Sequence, residues 1–367
     1  MKYMNSPVII RFILFTVLKF VLLHSTPIIS AQDDPADILL RNFKPVTIHK
    51  VPVTVIEKAR YPIIDVHSHA YARTADQIDQ WIRNKNEVGI ERTIILTGAV
   101  GEQFDSIYTE YMRYPERFDL WCGLDLGGYD EPGFSEKVTA ELERSVRTGA
   151  KGIGELSDKG RGLRFGNQFA HGLHLDDPRL DKVLRRAGEL NIPINIHVAD
   201  PIWMYEPMDS TNDGMMNALK WRLDNQEGIV GHSGMIDILE RAVRKHPGTT
   251  FIACHFANLS YDLTRLGKLL DTYPNLYADI SARYAETSVI PRFVKSFYEK
   301  YQDRLLYGTD MGYNTEMYRT TLRILETEDE HFYDHILFSY HWSLHGFGLP
   351  DIVLKKIYRD NALKLFK

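Results

Sequence analysis

From Tyr61 to the C-terminus, eight short apolar runs alternate with amphipathic stretches, and this alternation limits the fold more than any other feature of the chain. The runs are Ile63–His67, Thr93–Leu96, Phe118–Leu124, Ala150–Leu156, Ile192–His197, Thr250–His255, Leu276–Ile280 and Leu305–Gly308. They are apolar almost end to end, as strands buried on both faces are. Between them, apolar residues recur at helical spacing, as in Ile78, Trp81 and Ile82. Asp177-Pro178 supplies an N-cap and a first-turn proline for one such stretch. Strand–helix–strand units pair in parallel through right-handed crossovers. Eight of them favour closure into an α/β barrel, (β/α)8, over an open doubly wound sheet.

Residues 1–31 are read separately. Lys2 and Arg11 precede an apolar run, Phe12–Leu23, and a small residue, Ala31, ends the segment. This predicts a secretory signal peptide cleaved after Ala31, and so a periplasmic or secreted protein without stable membrane insertion. Residues 32–60 are punctuated by proline and carry two β-like runs, Val46–Ile48 and Val53–Ile56, which suggests an N-terminal arm or small hairpin before the barrel of residues 61–367. One insertion follows the fifth strand, Asp200 to His232, rich in Trp, Tyr and Met; it reads equally as a substrate wall or as a loop packed down by its aromatics. A net charge of −5 argues against nucleic acid or an anionic membrane as partner and leaves a small-molecule substrate. Two cysteines make no disulfide framework, and Cys254 reads as a small buried residue.

Barrel active sites form at the C-terminal ends of the strands. Here strand one ends in His67-Ser68-His69, strand four in Glu155, strand five in His197, strand six in His255 and strand eight in Asp310. Side chains alternate along a strand, so His67 and His69 face one way, with Asp65 one pleat deeper on the same face, where it orients the site or packs in the barrel floor. Each of these polar ends alone is explained by a hydrogen-bonded core histidine or a capping aspartate. Together, five buried strands closing on charged or imidazole groups point to a shared metal, because unpaired polar groups there cost several kcal/mol. The N/O donor set suits zinc, with manganese or iron as alternatives. His171, His174, His232, His331, His335 and His341 follow no clean strand and read as surface or loop residues.

The pattern resembles the amidohydrolase superfamily, in its amidohydrolase-related (amidohydrolase 2 type) branch of single TIM-barrel, metal-dependent hydrolases. The resembling residues are Asp65–His69, His197 in Ile-Asn-Ile-His-Val-Ala-Asp, His255 in Ile-Ala-Cys-His-Phe-Ala-Asn, Asp310 in Tyr-Gly-Thr-Asp, and the closing segment Asp360–Phe366. The resemblance implies that His67, His69 and Asp310 bind the deeper metal. It implies that His197 and His255 bind a second metal, or that one of them assists catalysis. Glu155 stands where some members have a bridging carboxylate or carbamylated lysine, which permits two metals, whereas many members hold one.

The expected reaction is hydrolysis of an ester, lactone or amide of a small, carbohydrate-like substrate, with Asp310 moving the proton of metal-activated water. The rival is a mononuclear decarboxylase or hydratase of an unsaturated or aromatic carboxylate, in which His255 handles protons. A metal-loaded binding protein without turnover is the third reading. Export and Glu155 favour hydrolysis. Arg283 is a candidate for a substrate carboxylate, or else a surface ion pair. Trp203 and Tyr205 are candidates for stacking on a ring, or else core residues of the insertion.

Overall fold

The computed structural model describes residues 34–337 and 340–366. The segment read as a signal peptide lies outside the described residues. The chain divides into two compact units, Met1–Lys44 and Pro45–Lys367. In the first, the described residues form two single turns of 3₁₀ helix, Pro35–Asp37 and Leu40–Asn42, and Asp34 caps the earlier turn through Ala36 N at 2.9 Å.

The second unit holds eight parallel strands among its described residues: β1 Ile63–Ser68, β2 Ile90–Leu96, β3 Phe118–Trp121, β4 Ile153–Asp158, β5 Ile194–Val198, β6 Phe251–Ala253, β7 Leu276–Asp279 and β8 Leu305–Leu306. The ladders run β1-β2-β3 and β4-β5-β6-β7-β8. Two further sets of backbone bonds join them into a ring. Cys122 N donates to Gly152 O (3.0 Å) and Gly154 N to Cys122 O (2.8 Å), linking β3 to β4. Val66 N donates to Tyr307 O (2.9 Å), and Thr309 N and Asp310 N both donate to His67 O (3.2 and 2.9 Å), linking β8 back to β1. The expected eight-stranded barrel is therefore what forms.

Helices α1 Ala75–Val88, α2 Gly101–Tyr111, α3 Phe134–Thr148, α4 Asp181–Glu189, α5 His232–Lys245, α6 Leu263–Thr272, α7 Pro291–Tyr301 and α8 Thr315–Glu326 lie between and after the strands. Their apolar faces and the outward strand residues make the main core, with Ile63, Trp81, Ile194, Ile196 and Phe251 all buried. A smaller core fills the barrel: Ile64, Val66, Ile94, Leu96, Trp121, Ile252 and Leu306, closed by Ala362 of the last helix. Asn361 fixes that helix by donating to Gln302 O (2.7 Å) and Leu305 O (2.8 Å).

This packing corrects two expectations. Ile64 and Val66 face the barrel interior, so plain alternation would turn Asp65 and His67 outward. The pairing register of β1 shifts between Asp65 and Ser68, and His67 enters the site through that irregularity. Asp65 is not in the barrel floor; its carboxylate accepts Thr309 Oγ1 (2.6 Å), Thr309 N (3.0 Å) and His67 N (3.2 Å), pinning β8 to β1. The second correction concerns residues 45–60, which contain no strand. Pro45 and Pro52 interrupt them, and Val46, Ile48, Val53 and Val55 are largely exposed, so no sheet edge receives the β-like runs. The segment is held instead by side chains, Thr54 on Asp329 (2.7 and 2.8 Å) and Arg60 N on Glu326 (3.0 Å).

Removing the Asp65 carboxylate strands three buried donors at the barrel seam. Asp65→Ala is expected to lower stability by about 3 kcal/mol or more, seen as a fall of several degrees in Tm, with Asp65→Asn milder because it keeps one acceptor.

Candidate functional site

Each side chain expected at the barrel mouth is brought there. His67 is fully buried; its Nδ1 lies 2.9 Å from Asp279 Oδ2, and its Nε2 points at Glu155 Oε1 (3.7 Å) and Asp310 Oδ1 (3.8 Å). His69 Nδ1 bonds Leu96 O (2.9 Å), leaving Nε2 at 3.1 Å from Asp310 Oδ1 and 3.7 Å from Glu155 Oε2. His197 Nδ1 is 2.9 Å from Glu155 Oε1, and its Nε2 is 3.1 Å from Asp200 Oδ1. His255 Nδ1 meets Ser281 Oγ (2.8 Å) and O (3.0 Å), so Nε2 faces Glu155 Oε1 and Asp310 Oδ2, both at 3.6 Å.

The backbone departs from regular geometry to achieve this. β4 repeats the device of β1. Gly152 and Gly154 face inward, since a Cβ on them would collide with the Trp121 ring and Asn195 Cβ, and the register then shifts between Ile153 and Leu156, which lets Glu155 turn in as well. β6 ends in four consecutive left-handed residues, His255 to Asn258 with φ from 57° down to 53°, and Asp310 also has φ 53°.

The electrostatics follow from burial and proximity. Burial opposes ionisation of Glu155, but His197, His255 and His67 outweigh it and hold the carboxyl well below the usual range. Asp310 is lowered likewise by His67 and His69 against its burial. Burial alone dominates at His255 and pushes it down to about 4, a neutral imidazole. At His67, burial is outweighed by Asp279, Asp310 and Glu155, which raise it to about 10.

These residues fit a divalent ion. His67 Nε2 is buried without a hydrogen-bond partner, and it faces the two carboxylates that would complete a coordination sphere. Among the described residues, four overlapping donor groups each have their ligand atoms within 4.8 Å of one another: His67-His69-Glu155, His67-His255-Asp310, Glu155-His197-His255 and, on the far side of His67, His67-Cys254-Asp279.

Four contributors escaped the sequence reading. Asp279 ends β7 and accepts His67 Nδ1, Asn195 Nδ2 (3.2 Å), His255 N (2.9 Å) and both donors of Ser281. Asp200 supports His197, the Tyr71 hydroxyl donates to Asp310 Oδ1 (3.1 Å), and Ser281 seats His255. Asp279 shared the signal of the others, an acid at the end of an apolar run, but Ile280 masked it by prolonging the run.

The remaining candidates lie outside the donor cluster. Arg283 is buried, not at the surface; Nε and Nη2 donate to Asn258 Oδ1 (3.1 and 2.5 Å) and Nη1 is 3.4 Å from Glu286. Trp203 and Tyr205 pack with Met204, Ala218 and Leu223 in a small core of the insertion, and Trp203 also lines a cavity of about 430 Å³ with Ser260 and Glu286. His232 is not a loop or surface residue: it opens α5, is buried, and its Nε2 lies 3.0 Å from Asn258 O, because the helix start tucks under the left-handed turn of β6. Cys254 is buried and raised well above the usual thiol range by burial, an unreactive group beside Asn195 Oδ1 (2.8 Å).

Residues 64–367 match the family model described as Amidohydrolase. The chain belongs to the amidohydrolase family. No curated protein matches it. Among solved structures, this amidohydrolase resembles 2,6-dihydroxybenzoate decarboxylase from Rhizobium, with 18% identity, TM-score 0.53, and 83% of this chain and 98% of that chain covered. It also resembles a putative amidohydrolase from Staphylococcus aureus (16%, TM-score 0.54, 83% and 99%). A third is dihydroxybenzoic acid decarboxylase from Polaromonas sp. JS666, with bound manganese and the inhibitor 2-nitroresorcinol (17%, TM-score 0.53, 83% and 97%). At these identities the likeness is one of fold, and the family makes the chain a metal-dependent enzyme.

Two measurements probe the site. Glu155→Ala is expected to lower the divalent metal that copurifies, read by elemental analysis, and unchanged content would show that Glu155 is not a ligand. The second concerns protons. Without metal, His67 keeps its proton below about pH 10, and an ion needs that nitrogen bare. Metal uptake at neutral pH should therefore release a proton, and affinity should rise with pH; calorimetry in buffers of different ionisation enthalpy reads the release directly.

Proposed function

We propose that this amidohydrolase removes carbon dioxide from a small aromatic or unsaturated carboxylate. The observation that carries the reading is that its barrel, over 83% of the chain, follows those of two dihydroxybenzoate decarboxylases, one of them with bound manganese. His67, His69, Glu155 and Asp310 are the residues we assign to a divalent ion, manganese or zinc, with His197 and His255 completing the donor set. The ion would bind and polarise the oxygens of the substrate.

The chain's own groups suit the rest of the reaction. Cleavage of the carboxylate carbon leaves an electron pair on the substrate, and that carbon must take up a proton. Asp310, ionised in the resting site, has 22% of its side chain exposed and accepts from the Tyr71 hydroxyl; we assign it to take up a proton from solvent and pass it to that carbon. Burial keeps the Tyr71 proton in place by raising its pKa far above the usual phenol range. His255, held neutral and aimed by Ser281, presents Nε2 to the same space.

Hydrolysis of an ester, lactone or amide is the second reading. It is favoured by Glu155, whose Oε1 faces His197 (2.9 Å), His255 (3.6 Å) and His67 (3.7 Å) at once, as a carboxylate shared by two ions would. In either case we propose an exported enzyme, on the strength of residues 1–31. Among the described residues no helix is long and apolar enough to cross a membrane.

The discriminating assay runs manganese- or zinc-loaded enzyme on dihydroxybenzoates and dienoic carboxylates beside lactones, esters and dipeptides. Carbon dioxide release from the first group is expected; acid release from the second without carbon dioxide would establish hydrolysis instead. Asp310→Asn should lower kcat by about 10²–10⁴-fold under either chemistry.

A further inference from the structure

Beside the donor cluster, the structure holds a second feature that neither reaction uses. Lys159, Arg161, Arg164, Lys220 and Arg222 line a single cavity of about 300 Å³, in a chain whose net charge is −5. Asp200 is the one acid in its wall.

The cavity is built on the strands that carry two of the candidate ligands. Ser157 pairs in register with His197 and lines the cavity, and Lys159 follows it by one further pleat along the chain from Glu155. Asp200, from the segment after β5, joins the two places: its Oδ1 lies 3.1 Å from His197 Nε2 and 2.8 Å from Lys159 Nζ. The short hairpin Arg164–Phe165/Gln168–Phe169 adds Arg164 and Phe169 to the wall, with Arg161 over the Phe169 ring at 5.7 Å.

The charge in the cavity is mostly uncompensated. Lys159 is paired with Asp200, and Arg222 with Asp224 at 2.6 Å. Arg161 donates to the neutral Gln226 Oε1 (2.6 Å) and Arg164 to Gly166 O (3.0 Å). Among the described residues, no carboxylate lies within ion-pair distance of Arg161, Arg164 or Lys220. Beside them Trp221 is 64% exposed, a large apolar ring left in water at a cavity rim. Guanidinium groups with free donors next to an open indole are suited to a carboxylate or phosphate attached to a ring.

We propose that this cavity is a binding subsite for a second anionic group of the substrate, a carboxylate or phosphate remote from the reacting one, on a ring that lies against Trp221. The proposal rests on the reading of the barrel mouth as the reaction site, and it makes the preferred substrate at least a dianion.

The test uses the manganese-loaded enzyme and Trp221 emission, isolated as the difference between wild type and Trp221→Phe. Phenyl phosphate and phenylacetate are the anionic probes, and phenol is the neutral control. Saturable quenching by one or both anions and not by phenol is expected, and comparison of the two anions tells phosphate from carboxylate. In Arg161→Gln/Arg164→Gln/Lys220→Gln the apparent Kd should rise at least tenfold, with an unchanged circular dichroism spectrum to show that the exposed substitutions leave the fold intact. No saturable quenching in the wild type, or the same Kd in the triple variant, would overturn the subsite. Failure of the decarboxylase reading is separate. An enzyme that releases no carbon dioxide yet loses probe affinity in the triple variant supports the subsite, whereas carbon dioxide release with unaltered probe binding refutes the subsite alone.

Discussion

The contact between His67 and Asp279 is the point on which the barrel mouth depends. A buried imidazole with one nitrogen fixed by a buried carboxylate has its second nitrogen aimed, and here it is aimed between Glu155 and Asp310. Two ionised carboxylates so close to one another and so little exposed would repel, and each would lose several kcal/mol of hydration. Four imidazoles converging on them are a partial answer. A divalent cation among them is the complete one, since it satisfies both acids and the unpartnered Nε2 of His67. Asp279 also holds the backbone of His255 and the side chain of Ser281, so one carboxylate sets the orientation of two separate imidazoles, His67 and His255.

Regular strands cannot deliver this arrangement. Alternation turns only every second side chain inward, and in β1 and β4 the inward positions are already taken by Val66 and Gly154. The register shifts at Asp65–Ser68 and Ile153–Leu156 bring the next residues, His67 and Glu155, inward as well. On the other side of the barrel the departure is conformational: Ala199, His255, Ala282 and Asp310 all have left-handed φ just past the ends of their strands. Non-glycine residues in that region cost about 1 kcal/mol or more each. Such geometry persists because the surrounding core and the seam at Asp65 overdetermine it.

The contrast between regular strands and their irregular ends explains what could be read from the chain alone. Burial on both faces writes a run of apolar residues, and eight such runs announce the barrel. A candidate ligand announces itself when it is the polar residue that ends a run, as His197 and Asp310 do. Residues that act on a ligand leave a weaker trace. Asp279 is followed by Ile280, and Asp200 and Tyr71 lie in segments with no period at all, so their roles exist only in three dimensions. Asp65 was visible but its direction was not, because a register shift is invisible to a rule of alternation. Val46–Ile48 and Val53–Ile56 show the converse: β-propensity describes fitness for a pleated surface, and residues 45–60 meet no such surface. His232 likewise looked like a loop residue because its burial comes from the turn of β6, twenty-six residues away in sequence.

Asp200 shows how the mouth and the basic cavity are made one object. A single oxygen receives both His197 and Lys159, so neither can shift without disturbing the other. Burial opposes ionisation of Asp200, yet His197 and Lys159 together hold it at about 2, so the link stays charged at any pH near neutrality. A ligand whose far end is held by Arg161 and Arg164 would then have its near end set at a fixed distance from His197 by the protein's own framework. Selection by that distance would act before any chemistry, and it would act on the length and charge of the substrate, two properties to which the donor cluster itself is indifferent.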